Sequence, residues 1–339
     1  MQDDTLIAQY LWDEENRSTQ EGEQLAQYLW DEENRGSGVW EEQVLASAVV
    51  DMKRLLSGPF RQDYIVLGED PGAVKEAVRE VGALVTDEFN SLDGVGARLT
   101  RIQLARLSQI PGVRGAFQDR GVKTATLTDM SGSGSRRDSY YPTLLDADLL
   151  HRQGITGTGV GVAVIDSGAW HHNSLVRGTD GKDRLLAYYD AINDSTSPAM
   201  EDPNGHGSHI ASVLASSQPA VDEDGNQTGS YQGIAPDADL VVVKAFDDTG
   251  RATYMDVIRG IDYVIAHKDE YNIKVLNLSF NGTPISHYWQ DPLNMAVMAA
   301  WEAGITVVVS AGNRGPDPMS IGVPANVPYV VSVGAMSDN

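Results

Sequence analysis

The hydrophobic pattern from residue 160 onward alternates between short apolar runs and longer segments with helical spacing. Short runs rich in β-branched residues are typical of strands buried on both faces, and a period near 3.6 residues is typical of helices. The pattern predicts strands at 160–165, 240–245, 274–280, 306–310 and 329–334, with helices at 144–152, 253–267 and 294–303. Regular alternation of strands and helices predicts an α/β fold with a doubly wound parallel sheet.

A second pattern, over residues 39–127, predicts a smaller α+β module. Pro71 marks the start of one helix, and Thr100 with Gln103 forms a capping box at the start of another. The predicted elements are strands at 64–67, 83–89, 97–99 and 113–117 and helices at 40–56, 71–81 and 100–107. From residue 64 the order is strand, helix, strand, strand, helix, strand, which is the ferredoxin-like order.

The first residues contain an internal repeat, because the segment 8–17 recurs unchanged at 26–35. The shift equals about five turns of an α-helix, so a continuous helix would carry both Leu-Trp pairs on one face and could dock on a partner. Alternatively, the segment is an acidic, weakly helical or disordered extension, which the interruption at Gly22 favours. We therefore divide the chain into an acidic extension at 1–38, the α+β module at 39–127, a flexible linker at 128–142 and the α/β domain at 143–339.

The charge balance narrows the choice of partners. The chain has 48 Asp and Glu against 25 Lys and Arg, a net charge of −23, which disfavours nucleic acid and anionic membranes. It has no cysteine and no apolar run of transmembrane length. The first residues have neither the basic nor the apolar region of a signal peptide, so we expect a cytoplasmic protein or a chain whose natural start is lost or replaced.

The candidate chemistry lies at the ends of predicted strands. Asp166 ends an apolar run, and carboxyl ends of strands are where α/β sheets place functional groups. His206 follows in a Gly-rich turn that opens an apolar helix, and Asn313 follows the strand at 306–310. The order of the acid and the histidine fits the Asp…His…Ser order of one type of catalytic triad. The glycines at 154–161 precede a strand, whereas a dinucleotide fingerprint follows one, so we reject nucleotide binding.

Three motifs resemble those of the subtilisin-like serine peptidases, the subtilases. They are Asp166-Ser167-Gly168, His206-Gly207-Ser208-His209 and the segment 307–315 with Asn313. The resemblance implies a subtilisin-like fold, hydrolysis of peptide bonds in peptide or protein substrates, and a secreted or extracellular location. It further implies that His206 is the general base, that Asp166 orients it, and that Asn313 donates to the oxyanion.

The resemblance also assigns the substrate cleft and an inhibitor. The substrate-binding positions that it implies are Gly250, Arg251, Ala252, Ser279, Phe280, Asn281, Ser310, Ala311 and Gly312. Asn281 departs from the glycine that the family commonly has there. The module at 39–127 is similar to the family's inhibitory propeptide, whose last residues lie in the cleft of its own enzyme; the alternative is an unrelated small α/β domain. Here residues 122–127 supply such a tail, and we expect processing between Lys123 and Arg137.

The family's Gly-Thr-Ser-Met-Ala motif, which carries the nucleophilic serine, does not occur in this sequence. We therefore expect a polypeptide of these residues alone to be inactive. The alternative is a split or dead subtilase that serves as a peptide-binding or protein-binding module.

An acidic loop is the candidate metal site. Asp222, Asp224 and Asn226 offer oxygen ligands at alternate positions, with Glu223 between them, and calcium prefers such ligands. The alternative is a solvated acidic turn. Asp202 is a weaker candidate ligand, and we expect His209 to be a packing residue.

Overall fold

A computed structural model describes residues 61–124, 141–196, 199–222 and 224–335. The repeat at 8–35, the predicted helix at 40–56, most of the linker and Glu223 lie outside these residues. Within the described ranges, none of the helices combines the length and the apolar composition that a membrane crossing requires.

The N-terminal part is a four-stranded antiparallel sheet with two helices. Its elements are β1 (Gln62–Gly68), α1 (Pro71–Glu80), β2 (Leu84–Phe89), β3 (Gly94–Leu99), α2 (Arg101–Leu107) and β4 (Val113–Gln118). The strand order β2-β3-β1-β4 confirms the predicted ferredoxin-like arrangement. The predicted capping box is also present, since Thr100 accepts from the N–H of Gln103 and the Gln103 side chain accepts from Thr100.

The larger part is built on a six-stranded parallel sheet with the order β15-β14-β12-β6-β10-β7. The strands after β4 are β5 (Gly121–Thr124), β6 (Gly161–Asp166), β7 (Leu185–Asp190), β8 (Pro219–Val221), β9 (Gln227–Tyr231), β10 (Asp239–Lys244), β11 (Arg251–Thr253), β12 (Ile273–Leu278), β13 (Phe280–Asn281), β14 (Thr306–Ser310) and β15 (Val331–Val333). The helices are α3 (Tyr141–Leu144), α4 (Ala147–His151), α5 (Asn173–Val176), α6 (His206–Ala215), α7 (Tyr254–Ala266) and α8 (Pro292–Glu302). The predicted α/β fold with a parallel sheet is confirmed.

The winding of the sheet reverses at β6. The chain first builds β7 and β10 on one side of β6 and then β12, β14 and β15 on the other. Because parallel strands end at the same edge, the residues at the carboxyl ends of β6, β10, β12 and β14 share one edge of the sheet. Asp166 ends β6, and the predicted cleft segments and Asn313 lie at or after the ends of β10, β12 and β14. Of the predicted catalytic and substrate-binding residues, only His206 lies elsewhere.

The antiparallel sheet packs one face against α7. Ile65, Leu67 and Phe89 are buried in the same hydrophobic core as the parallel sheet. At the edge of this contact, the Asp262 side chain on α7 accepts the N–H groups of Asn90 at 2.7 Å and Ser91 at 2.8 Å. Apolar burial and these hydrogen bonds hold the antiparallel sheet on the α/β domain.

Two elements that were predicted to be continuous are interrupted in the structure. The helix predicted at 144–152 is divided into α3 and α4, because Asp146 adopts a left-handed conformation with φ of 57°. The strand predicted at 274–280 ends at Leu278, and β13 then pairs with β5 instead of continuing in the parallel sheet. This second break creates one wall of the site described below.

Candidate active site

Asp166 and His206 form a buried hydrogen-bonded pair. Nδ1 of His206 lies 2.7 Å from Oδ1 of Asp166, and the two residues are 2% and 1% exposed. The N–H of Ser167 donates to the same oxygen at 2.7 Å. Because a carboxylate only accepts hydrogen bonds, Nδ1 donates to Asp166, and in the neutral ring Nε2 then has the free lone pair. The pair therefore presents a histidine in the tautomer that a general base requires.

Glycine allows the two motifs to approach this closely. A Cβ atom added to Gly207 would lie 2.1 Å from the carbonyl oxygen of Gly168, which is closer than any real contact. The N–H of Gly207 also donates to the Ser167 hydroxyl at 2.9 Å. A larger residue at 207 would push the start of α6 away from the end of β6 and separate His206 from its acid.

Asp202 supports the first turn of α6, and within the described residues it belongs to no group of three His, Asp or Glu side chains that could hold a metal ion. Its carboxylate is buried and accepts the N–H of Gly205 at 2.9 Å and the N–H and hydroxyl of Ser208, both at 2.7 Å. Burial acts to raise the pKa of Asp202, but these hydrogen bonds outweigh it and hold the pKa below the ordinary value. Sequence analysis missed this role, for which the only signal was an acid shortly before the helix.

Strand β5 lies between the two edges that were predicted to bind substrate. It is the central strand of a three-stranded antiparallel sheet with the order β11-β5-β13. Lys123 pairs with Arg251 on one side and with Asn281 on the other, and Thr124 pairs with Phe280. A strand of the chain itself thus lies between the two predicted edges, and their role in binding substrate stays a prediction.

The side chains of β5 alternate between a buried and an exposed face. Val122 is 1% exposed and shares a hydrophobic cluster with Ala252, Tyr254 and Phe280. Lys123, the next residue, is exposed. The surface between β11 and β13 therefore buries the branched aliphatic side chain of Val122 and leaves the following side chain in solvent.

The third predicted segment follows β14 at the same edge of the sheet. Ser310 ends the strand, and its hydroxyl accepts the N–H of Gly312 at 3.2 Å. Gly312 has φ of 99°, a left-handed conformation that favours glycine, and Asn313 after it is exposed. Asn313 lies in the loop after β14, and β12 separates β14 from β6, the strand that carries Asp166. The role of Asn313 in catalysis stays a prediction.

Both carboxylate oxygens of Asp222, one of the three predicted calcium ligands, accept hydrogen bonds from within the loop. Oδ1 of Asp222 accepts the N–H groups of Asp224 at 3.0 Å and Asn226 at 2.8 Å, and its Oδ2 accepts from the Asn226 amide at 3.3 Å. These bonds, led by the N–H of Asn226, lower the pKa of Asp222. No group of three or more His, Asp or Glu within the described ranges could hold a metal ion. As arranged, the loop fits a calcium ion poorly, so calcium binding here stays a prediction and enters no step below.

The comparisons with known proteins point to one family of serine proteases. Residues 157–339 match the family model described as the Subtilase family. The chain is 33% identical over 267 residues to serine protease AprX of Bacillus subtilis, an alignment that covers 77% of this chain and 55% of that protein. It is 29% identical over 269 residues to subtilisin E of the same species, with coverage of 78% and 61%. The chain therefore spans little more than half the length of these relatives.

A solved structure shows the same fold. The crystal structure of fervidolysin from Fervidobacterium pennivorans, described as a keratinolytic enzyme related to subtilisin, matches with a TM-score of 0.56 and 23% identity. The match covers 80% of this chain and 43% of that one.

Proposed function

The chain belongs to the subtilase family, and we propose that it acts in a serine endopeptidase precursor whose own strand β5 occupies the substrate cleft. The observation that carries this proposal is the position of β5, held between β11 and β13 at the edge of the sheet where Asp166 and His206 form their buried pair.

In the proposed mechanism, His206 is the general base. Its Nε2 takes the proton of a serine hydroxyl while the serine oxygen attacks the carbonyl carbon of the substrate. Asp166, bonded to Nδ1, holds the ring and stabilises the imidazolium that forms. The Asn313 amide donates to the developing oxyanion, and His206 then gives its proton to the leaving amine. Water repeats the sequence on the acyl-enzyme and releases the acid.

The nucleophile is not assigned to a position in this sequence. Among the described residues, no serine hydroxyl is hydrogen-bonded to Nε2 of His206. The proposal therefore concerns the base, its orienting acid, the oxyanion donor and the cleft.

The substrate is proposed to be an extended peptide that takes the place and the register of β5. Backbone hydrogen bonds to two strand edges bind any sequence, and the side-chain pockets add selectivity. Thr124 shows one such bond, because its N–H donates to the carbonyl oxygen of Gly250 at 3.0 Å.

Residues 61–124 are proposed to inhibit the enzyme intramolecularly. The antiparallel sheet is anchored on α7, and β5 extends from it into the cleft, so a substrate must displace β5 before it can bind. The resemblance to secreted peptidases also favours an extracellular location, which stays a prediction.

Active-site labelling tests the proposed chemistry. The test uses the processed enzyme, which is a protein with these residues and the family's serine motif after its N-terminal module has been cleaved and removed. Treated with a fluorophosphonate probe, it should become labelled on a serine, because an activated serine attacks phosphorus readily. His206→Ala should abolish labelling, whereas His209→Ala, one turn further along α6, should leave it within about twofold of the parent. Equal labelling of all three proteins, or labelling of none, would reject the proposed function.

A further inference from the structure

The side chain of Asn281 lies across the gap between β13 and the loop after β14. A Cβ atom added to Gly312 would lie 2.6 Å from Asn281 Nδ2 and 3.0 Å from its Cγ. A Cβ atom added to Gly322 would lie 3.0 Å from Asn281 Cβ. The amide of Asn281 is thus packed directly on the backbones of these two glycines.

The register of β5 shows which substrate residue this side chain meets. Lys123 lies opposite Asn281, and Thr124 lies opposite Phe280. A substrate in the same register places its next residue opposite Ser279. Because side chains alternate along a strand, that residue projects from the face on which Asn281 projects, towards the segment at 310–312.

The same residue lies beside the catalytic groups. Thr124 is bonded to Gly250, and a Cβ atom added to Gly250 would lie 3.2 Å from Asn204 Nδ2. Asn204 in turn accepts the N–H of His206 at 3.3 Å. The strand that leads to the position after Thr124 therefore runs beside the turn that opens α6 at His206, and its partner β13 contacts Gly312, the residue before Asn313. The proposed function then assigns the scissile carbonyl to the residue after Thr124.

We propose that Asn281 narrows the pocket for the residue on the acyl side of the scissile bond, so that the enzyme prefers a small side chain there. This inference rests on the proposed function and adds the substrate class. The chain's own sequence agrees with it, because Ala125 follows Thr124.

Peptide kinetics on the processed enzyme, from which the N-terminal module has been removed, test the inference. The substrates are succinyl-Val-Lys-Thr-Xaa p-nitroanilides that copy β5, with Xaa as Ala, Leu or Phe. The parent should show a kcat/KM for Ala at least tenfold above that for Phe. Asn281→Gly should lower this Ala-to-Phe ratio at least tenfold, and Asn281→Ala should lower it by a smaller factor. Differences in the fit of a pocket to a side chain commonly change kcat/KM by about 10–200-fold.

A second position of the substrate provides the control. Replacing Val of the peptide by Ala alters the residue that lies in the pocket of Val122, away from Asn281. Asn281→Gly should leave the Val-to-Ala ratio at that position within about twofold of the parental value. A shift of that ratio as large as the shift for Xaa would mean a general loosening of the cleft and would overturn the inference.

Two further results would overturn it. One is a parent that cleaves after Phe as readily as after Ala, and the other is an Asn281→Gly variant with an unchanged Ala-to-Phe ratio. In both cases the protein is an active peptidase, so the proposed function survives. A parent that cleaves none of the peptides and takes up no fluorophosphonate label rejects the proposed function and the inference together.

Discussion

The backbone N–H of Thr124 donates to the carbonyl oxygen of Gly250 at 3.0 Å, although the two residues lie 126 positions apart in the chain. The bond joins a strand that follows the antiparallel sheet to one edge of the cleft in the α/β domain. Through it and the pairing with β13, the chain adds a strand of its own to the site where a substrate strand is expected.

Burial of Val122 should determine how firmly β5 stays in the cleft. We expect Val122→Asp to accelerate hydrogen exchange of the Thr124 N–H at least tenfold in the 339-residue chain. Burying a valine contributes about 1.5–3 kcal/mol, and about 1.4 kcal/mol is a factor of ten. Lys123→Ala is the matched control, because the Lys123 side chain is exposed, and it should change the exchange rate less than threefold. Equal rates in the parent and Val122→Asp would show that this pocket does not hold the strand.

The contact between the antiparallel sheet and α7 should depend on pH through Asp119. Its side chain accepts the N–H of Met255 at 3.1 Å, and burial raises its pKa from 3.8 to about 6. Between about pH 4 and pH 6 the folded protein thus keeps a proton that the unfolded chain has released. The free energy of unfolding contributed by this group therefore falls as the pH rises through that window.

Asp119→Asn should remove this contribution while its side-chain oxygen still accepts from Met255. Urea unfolding at several pH values between 4 and 7.5 measures the difference in the free energy of unfolding between the variant and the parent. The contributions of the other carboxylates cancel in this difference. The variant should gain stability relative to the parent as the pH rises from 4 to 6, and the gain should then level off. Parallel curves would contradict the assignment.

Arg120 should contribute to stability because it bonds two buried groups. Its Nη2 donates to the Tyr254 hydroxyl at 2.6 Å and to Oδ2 of Asp291 at 3.1 Å, and Asp291 caps α8. We expect Arg120→Ala to lower the free energy of unfolding by about 2–3 kcal/mol, since hydrogen bonds to charged groups contribute about 1.5–3 kcal/mol each.

Arg98→Ala is the matched control for this prediction. Arg98 pairs with Asp63 at 2.7 Å on the surface, where water screens the ion pair, so its loss should cost much less stability than the loss of Arg120. Urea unfolding at constant pH compares the two variants. A loss at Arg120 no larger than the loss at Arg98 would mean that the buried contacts of Arg120 add no stability.

The sequence predicted the Asp166–His206 pair because its determinants are local. The acid ends an apolar strand, the histidine opens a helix, and glycines at 168 and 207 permit the close approach. The central part of the parallel sheet was predictable for the same reason, since β6, β10 and β14 contain continuous apolar runs. β7 was not predicted, because as an edge strand it is only partly buried and its apolar pattern is weak.

Other features depend on contacts between distant segments. The apolar run at 274–280 does not reveal that the chain leaves the parallel sheet after Leu278, because β13 forms only by pairing with β5. The departure from glycine at 281 was visible in the sequence. The sequence did not show that the Asn281 side chain packs on Gly312 and Gly322, because the direction of this side chain depends on three segments meeting at one edge of the sheet.

The central claim is that the pair of Asp166 and His206, with Asn313, catalyses cleavage of a peptide bound in the place of β5. The most direct test is kcat/KM of the processed enzyme, freed of its N-terminal module, and of its variants on succinyl-Val-Lys-Thr-Ala p-nitroanilide. We predict turnover by the parent, a loss of several orders of magnitude in His206→Ala, about 10⁴-fold in Asp166→Asn and about 10²–10³-fold in Asn313→Ala. His209→Ala should stay within about threefold of the parent. Full turnover by His206→Ala, or none by the parent, would contradict the account.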